Sequence, residues 1–324
     1  MKRRAFLMLA GSAPVAWSVA AMAQQSGPLL RLGILLYNSP QIDPIAPLLK
    51  GLNSLGYVDG KNLLIEYRYA EGKFERLADL AVELAQLKPN VIFAYGGDVA
   101  PFAKKATTTI PLVVMVSNDP VQSGLVASLA HPGGNITGLT QVYDELAGKM
   151  LDYLKQAAPA ISKVGVLWNP NHADPEYRET QRVADLLKVE LVPLPVRTSA
   201  DFDGAFQTAM EQRAEGVVVI SSRILLAQRR RIAEFIANNR IPAVGSWGDW
   251  ANDGLLLTYG PNIPEVMGRA AAYVDKIFKG ARPSDLPIER PSKFELIINT
   301  KSAAALGLKL PDAMLSTADQ LIES

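Results

Sequence analysis

The sequence predicts an α/β protein of two lobes with like topology, each built on a parallel central sheet covered by helices. Three observations carry that prediction. From Arg31 onward, short β-branched and apolar runs alternate with stretches of helical spacing, the pattern of parallel strands buried on both faces by crossover helices. The strand ends then repeat along the chain. Arg31-Leu-Gly-Ile-Leu-Leu-Tyr-Asn-Ser-Pro40 answers Lys163-Val-Gly-Val-Leu-Trp-Asn-Pro170, Pro89-Asn-Val-Ile-Phe-Ala-Tyr-Gly-Gly97 answers Ala214-Glu-Gly-Val-Val-Val-Ile-Ser-Ser222, and Ile110-Pro-Leu-Val-Val-Met-Val-Ser-Asn-Asp119 answers Ile241-Pro-Ala-Val-Gly-Ser-Trp-Gly-Asp249. Finally, 324 residues with 48% hydrophobic and 20% charged side chains suit a globular chain of two ordinary domains and exclude disorder.

Taken in chain order, the first half offers strands over 32–37, 63–69, 91–95 and 112–116, with helices over 44–55 and 74–87. Pro44 near a helix start and Gly56 just past its end are the usual helix punctuation. The second half offers strands over 164–168, 191–194, 217–220, 243–246 and 255–259. Helices are predicted there over 145–158, 176–187, 202–213, 226–238 and 264–279, the last closed by Gly280.

Ahead of this pattern, Lys2-Arg3-Arg4 forms a basic segment, 5–20 is mostly apolar but broken by Gly11, Ser12 and Pro14, and Ala21-Met22-Ala23 precedes Gln24 as a small-residue cleavage pattern. Residues 1–23 therefore read as a signal peptide, with a periplasmic product and no membrane span in the mature chain. Arg3-Arg4-Ala5-Phe6-Leu7 is similar to a twin-arginine signal but lacks its usual Ser and Lys, so both that route and ordinary Sec export remain open. Beyond the leader the chain carries 30 Lys and Arg against 32 Asp and Glu, which argues against a nucleic-acid partner needing a basic surplus. With no cysteine, disulfides, thiolate metal sites and a Cys nucleophile are excluded.

In open α/β sheets ligands bind beyond the carboxyl ends of the strands. The residues there are small or polar, offering hydrogen bonds without bulk: Tyr37, Asn38, Gly97, Asp98, Ser117, Asn118, Asp119 and Gln141 in the first half, then Trp168, Asn169, Ser221, Ser222, Trp247 and Asp249 in the second. Facing one another, they would line a cleft. Gly96-Gly97-Asp98 lacks the third glycine of a dinucleotide fingerprint and the Gly-Lys-Ser/Thr of a P-loop, but its backbone N–H groups suit a carboxylate. Asp119 ahead of Pro120 reads more readily as an N-cap than as a contact. His172, Asp174 and Glu176 form a solvated turn in preference to a metal site. No cofactor, metal or catalytic set is expected, since two histidines in loop settings and no Gly-x-Ser-x-Gly elbow leave no triad. Arg229-Arg230-Arg231 reads as a solvated helix face. Trp168 and Tyr37 suit core packing and ligand stacking equally, while Trp247 and Trp250 either stack on a ligand or seal a hinge. Tyr259 reads as a hinge-packing residue.

Three longer strings carry a resemblance: 117–138, beginning Ser117-Asn-Asp-Pro-Val-Gln-Ser-Gly; Gly254-Leu-Leu-Leu-Thr-Tyr-Gly260; and 277–299, ending Phe294-Glu-Leu-Ile-Ile-Asn299. Through them the chain resembles the ABC-transporter substrate-binding proteins of the type I periplasmic fold, in the subfamily with tryptophan- and tyrosine-binding members. The resemblance implies two Rossmann-like lobes joined by a three-crossover hinge near 139–141, 259–261 and 290–293. Lobe 1 would hold 29–139 plus 261–290, and lobe 2 would hold 140–260 plus 291–324. It further implies a monomer that closes around a small ligand and delivers it to an ABC permease. The ligand itself is read from the strand ends: N–H-rich turns at Gly97 and Ser117 suit a carboxylate, and Trp168, Trp247 and Tyr37 offer flat apolar surface, so an aromatic amino acid or aromatic carboxylate is favoured. Asp249 would meet its ammonium group. The Trp247-Gly-Asp-Trp250 loop departs from the small, acidic loop of relatives. The alternatives are a periplasmic sensor for a membrane receptor and a two-domain α/β enzyme, whose phosphate fingerprints and histidines are missing.

Overall fold

A computed structural model describes residues 29–39, 41–43, 45–141, 146–171 and 176–323. The leader over 1–23, Pro40, the helix starts placed at Pro44 and at 145, and His172 and Asp174 lie outside the described residues. The first sheet contains β1 (Leu30–Leu36), β2 (Leu63–Tyr69), β3 (Val91–Tyr95), β4 (Leu112–Val116) and β5 (Ile136–Thr140), in the order β2-β1-β3-β4-β5 and parallel throughout. The second contains β6 (Lys163–Trp168), β7 (Glu190–Pro195), β8 (Gly216–Val219), β9 (Ala243–Gly245), β10 (Leu257–Pro261), β11 (Phe294–Asn299) and β12 (Gln320–Ile322). Its order is β12-β11-β10-β9-β8-β6-β7. Read from its other end, β7-β6-β8-β9-β10 repeats the arrangement of the first sheet, so the repeated strand ends reflect a repeated topology.

The alternation of side chains along each strand explains why both faces are covered. In the first sheet Leu32, Ile34, Leu36, Phe93 and Met115 pack under α1 (Ala46–Ser54) and α10 (Ile263–Phe278). Leu35, Ile92, Ala94, Val114 and Val116 turn the other way, toward α2 (Leu77–Gln86) and α3 (Ala100–Ala106). The second sheet is sandwiched likewise. One face meets α6 (Phe202–Glu211), α7 (Arg223–Ala227), α8 (Arg229–Asn239) and α9 (Asp249–Asn252). The other meets α4 (Ala147–Ala157) and α5 (Glu176–Leu187), with α11 (Thr300–Ala305) and α12 (Asp312–Thr317) beyond them.

The chain runs between the sheets three times: after β5, between β10 and α10, and before β11. Strands β5, β11 and β12 are not foreshadowed by the periodicity, and at the crossing expected near 259–261 Tyr259 to Pro261 pair antiparallel with Phe294 to Leu296 before the chain leaves the sheet. The second sheet is thus parallel-dominated, with one antiparallel pair added at its repeat boundary. Helix α10 packs on α1 and the first sheet, so the segment between β10 and β11 returns to the first unit. The helix expected over 226–238 is split at Gln228 into α7 and α8.

Gly138 shows how tightly β4 and β5 approach. Its φ is +136°, and a Cβ there would lie 2.0 Å from the Val114 carbonyl oxygen. Backbone cannot yield as a side chain tip does. Gly138→Ala should therefore lower the unfolding free energy by at least about 2 kcal/mol, a loss that urea denaturation followed by circular dichroism would measure.

Candidate ligand-binding cleft

In each sheet the chain reverses its direction of growth between the first strand and the third, at β1/β3 and at β6/β8. Such a switch point opens a crevice at the carboxyl ends of the two strands, because the following connections depart to opposite faces. Tyr37 and Asn38 end β1, and Gly96, Gly97 and Asp98 follow β3. In the second sheet Trp168 ends β6 with Asn169 after it, and Ser221 and Ser222 follow β8. The two switch points are joined by direct contacts, described below, so these ends do meet across the molecule.

On the first side, Gly96 adopts φ +124° and its carbonyl accepts from the Val99 and Ala100 N–H groups, making the tight turn into α3. A Cβ on Gly97 would lie 2.9 Å from Asn118 Oδ1 and 3.2 Å from Ser117 Oγ, so the Gly97 backbone sits directly against those two buried side chains. Asn118 is itself held by Thr140, whose hydroxyl donates to its carbonyl at 2.8 Å. Gln141 is fully buried; its N–H donates to the Val116 carbonyl at 2.8 Å. Asp119 closes a turn and caps no helix, accepting from the Val121 and Gln122 N–H groups at 2.7 and 3.2 Å. Tyr37 donates its hydroxyl to the Gly72 carbonyl at 2.7 Å.

On the second side, the Trp168 ring stacks on Tyr177 with centroids 4.4 Å apart and planes 21° apart. Asn169 accepts from the Asn171 N–H at 3.0 Å. Ser221 donates its N–H and hydroxyl to Glu176 at 3.0 and 2.7 Å, and Glu176 is fully buried. A charged residue that the sequence reading weighed only as a poor metal candidate thus lies inside the second unit at a strand end. Ser222 caps α7, accepting from the Leu225 N–H. Trp247 and Trp250 are both buried, their ring centroids 5.9 Å apart. Trp250 belongs to the core beneath α9, packed against Gly245, while Trp247 reaches the boundary between the units. Tyr259 packs between Tyr153 and Phe294, with centroids 5.1 and 6.2 Å away.

Asp249 is the residue whose position departs most from expectation. Its side chain is 70% exposed and lies 3.7 Å from Arg229, which also reaches Asp253 at 3.1 Å. It stands on the rim because it opens α9 rather than ending β9. Arg229 and Arg231 are not a bare solvated face either, since Arg231 is bound to Asp203 and to the Ser199 carbonyl.

Sequence reasoning passed over Arg223 and Asp43. Arg223 Nη1 lies 3.0 Å from Asp43 Oδ1, both side chains are buried, and the guanidinium carbon stands 3.6 Å from the centroid of the Tyr95 ring. Burial disfavours its charge, but Tyr95, Asp43 and Asp98 together hold the guanidinium above its ordinary value. The available signal was a lone arginine set between Ser222 and the apolar run Ile224-Leu225-Leu226. Two openings flank this contact: about 470 Å³ lined by Asn38, Gly72, Lys73, Arg197, Ser199 and Ile224, and about 260 Å³ bordered by Tyr95, Trp247, Asp249 and Asn262. Among the described residues no group of three or more His, Cys, Asp or Glu could hold a metal ion, and no helix is long and apolar enough to cross a membrane.

Residues 42–322 match the family model described as ABC transporter substrate binding protein. The chain belongs to that family. A tyrosine-binding protein of Clostridioides difficile (strain R20291) is 25% identical over 264 residues, spanning 81% of this chain and 75% of its own length. A conserved domain protein of Vibrio cholerae has a solved structure with a TM-score of 0.84 at 25% identity, covering 90% of this chain and 99% of its own. The structure of a Streptococcus pneumonia ABC domain in complex with L-Trp has a TM-score of 0.81 at 21% identity, with the same coverage, and shares the fold. This substrate-binding protein therefore has the two-sheet architecture of periplasmic binding proteins, and its family and its tyrosine-binding relative are binding proteins.

Burial, then the charges of Asp98, Glu75 and Asp43, push the Tyr37 phenol up to about 12. A folded-state value above the unfolded one favours folding fully below the unfolded value near ~10, and that contribution is lost as pH rises toward 12. A difference titration of phenolate absorbance between wild type and Tyr37→Phe should place the missing tyrosine at about pH 12; an ordinary midpoint near ~10 would contradict the environment described for Tyr37.

Proposed function

We propose that this substrate-binding protein captures an aromatic amino acid, or a closely related aromatic carboxylate, between two lobes and delivers it to an ABC permease. Lobe 1 is built on the first sheet with α10, and lobe 2 on the second sheet. The observation that carries the reading is the asymmetry between the two facing strand-end sets. The turn at Gly97, set against the buried Ser117 and Asn118, offers backbone N–H groups suited to a carboxylate. Across the boundary, Trp168, stacked on Tyr177, and the buried Trp247 offer flat apolar surface. The tyrosine-binding relative and the L-Trp complex support the same ligand class.

Glu176, rather than Asp249, is the carboxylate suited to a ligand ammonium group, because it is buried beside Ser221 at a strand end while Asp249 is exposed on the rim. The ligand contacts both lobes, and its greater affinity for the closed arrangement shifts the lobes toward closure. The protein acts as a monomer without bond chemistry, and 1–23 serves as the export signal that brings it to the periplasm.

Calorimetry with L-tryptophan, L-tyrosine, indole-3-acetate and a neutral sugar tests this reading. Either amino acid should bind, and Glu176→Gln should weaken it by about ten- to a hundredfold, the worth of a charge-assisted contact. Asp249→Asn should change the affinity less than about threefold, as expected of a solvent-screened charge. Tight binding of the sugar with no heat from either amino acid would overturn the ligand class.

A further inference from the structure

Arg223 follows the site residues Ser221 and Ser222 in sequence, yet its side chain crosses to the opposite unit. The ion pair with Asp43 has side chains 4% and 0% exposed. Asp43 is itself held by Asn38, whose N–H donates to Oδ2 at 2.8 Å and whose amide donates to Oδ1 at 3.3 Å. That same amide donates to the Arg223 carbonyl at 3.3 Å, tying main chain as well as side chain across the boundary. The guanidinium lies over the Tyr95 ring, and Trp247 of its own unit stands 5.6 Å away. Gly96 leaves room for it, because a Cβ there would approach Arg223 Nε to 3.2 Å. Every partner is supplied by the chain.

When two lobes part, such charges regain water; when they meet, both are desolvated and compensate each other. A buried pair is therefore nearly neutral as a pair, but removing one member leaves the other as an uncompensated charge in the closed arrangement alone. We propose that Asp43 and Arg223 form an interlobe latch, a positioning pair that admits closure only in the register where the two charges meet, without touching the ligand, and so sets part of the ligand affinity. The latch rests on the two-lobe capture reading but not on the identity of the ligand. It acts from the ends of β1 and β8, beside both halves of the binding set, so it is made only when those halves are in register.

The chain contains no cysteine, so cysteines introduced at the exposed Ser54 and Glu211 would carry the sole spin labels, one on each unit. Interlobe distances in the free wild-type protein should include a short, closed component. Asp43→Asn and Arg223→Met should each remove it, and the double variant should restore it because neither charge is left stranded. L-tryptophan binding should follow the same order, each single variant losing at least about tenfold with faster dissociation and the double variant regaining most of the loss. A merely structural role predicts instead that the double variant is at least as impaired as either single one. That result, unchanged distances in the single variants, or a free wild type with only long distances would overturn the latch. If the wild type binds neither L-tryptophan nor L-tyrosine, the ligand-class reading falls while the distance comparison still decides the latch.

Discussion

The architecture depends on one constraint: a parallel strand cannot be joined to its neighbour by a tight turn. Each strand must be followed by a crossover, and in both sheets the crossovers leave the central strand toward opposite faces. The crevice between them is a consequence of topology, before any particular side chain is considered. Because the first five positions of both sheets share one strand order, the chain contains two such crevices. Three passages between the sheets let them face each other, as the contacts from Asn38 to Arg223 require.

What fills the crevices differs between the halves, and the difference gives the cleft its polarity. The first half uses glycine and short polar side chains close to the backbone: Gly97 against Asn118, with Thr140 holding the Asn118 carbonyl. The second half uses larger groups, with Trp168 stacked on Tyr177 and Trp247 at the boundary, and buries a carboxylate at Glu176 against Ser221. Donors on one side and flat apolar surface with negative charge on the other suit a ligand with a carboxylate, an ammonium group and an aromatic ring.

Charges in this protein divide sharply by environment. On the surface, pairs such as Arg182 with Glu179 and Arg282 with Asp285 are substantially exposed and contribute little to stability. Between the units, Arg223 and Asp43 lie within a network containing Asn38 and Tyr95, where the loss of one partner is felt in full. The rim group of Arg229, Asp249 and Asp253 is intermediate, being partly open to solvent.

Periodicity and repetition sufficed to determine the class of fold and most strand positions, because burial on both faces writes itself into local sequence. The run Leu32-Gly-Ile-Leu-Leu and its counterpart at Val164 are strands for reasons contained in a few residues. Strand β5 was less legible: Ile136-Thr-Gly-Leu-Thr is short and carries a glycine, which weakens a strand locally but is required where β5 meets Val114. Individual site roles were the least legible. Asp249 and Glu176 are both acidic residues near strand ends, and nothing local distinguishes the one on the rim from the one in the interior. Arg223 finds Asp43 across 180 residues of chain, a pairing no sequence window contains. Only the contact of one unit with the other decided that Arg223 and Asp43 would be buried, because burial at that boundary is a property of the pair and not of either half.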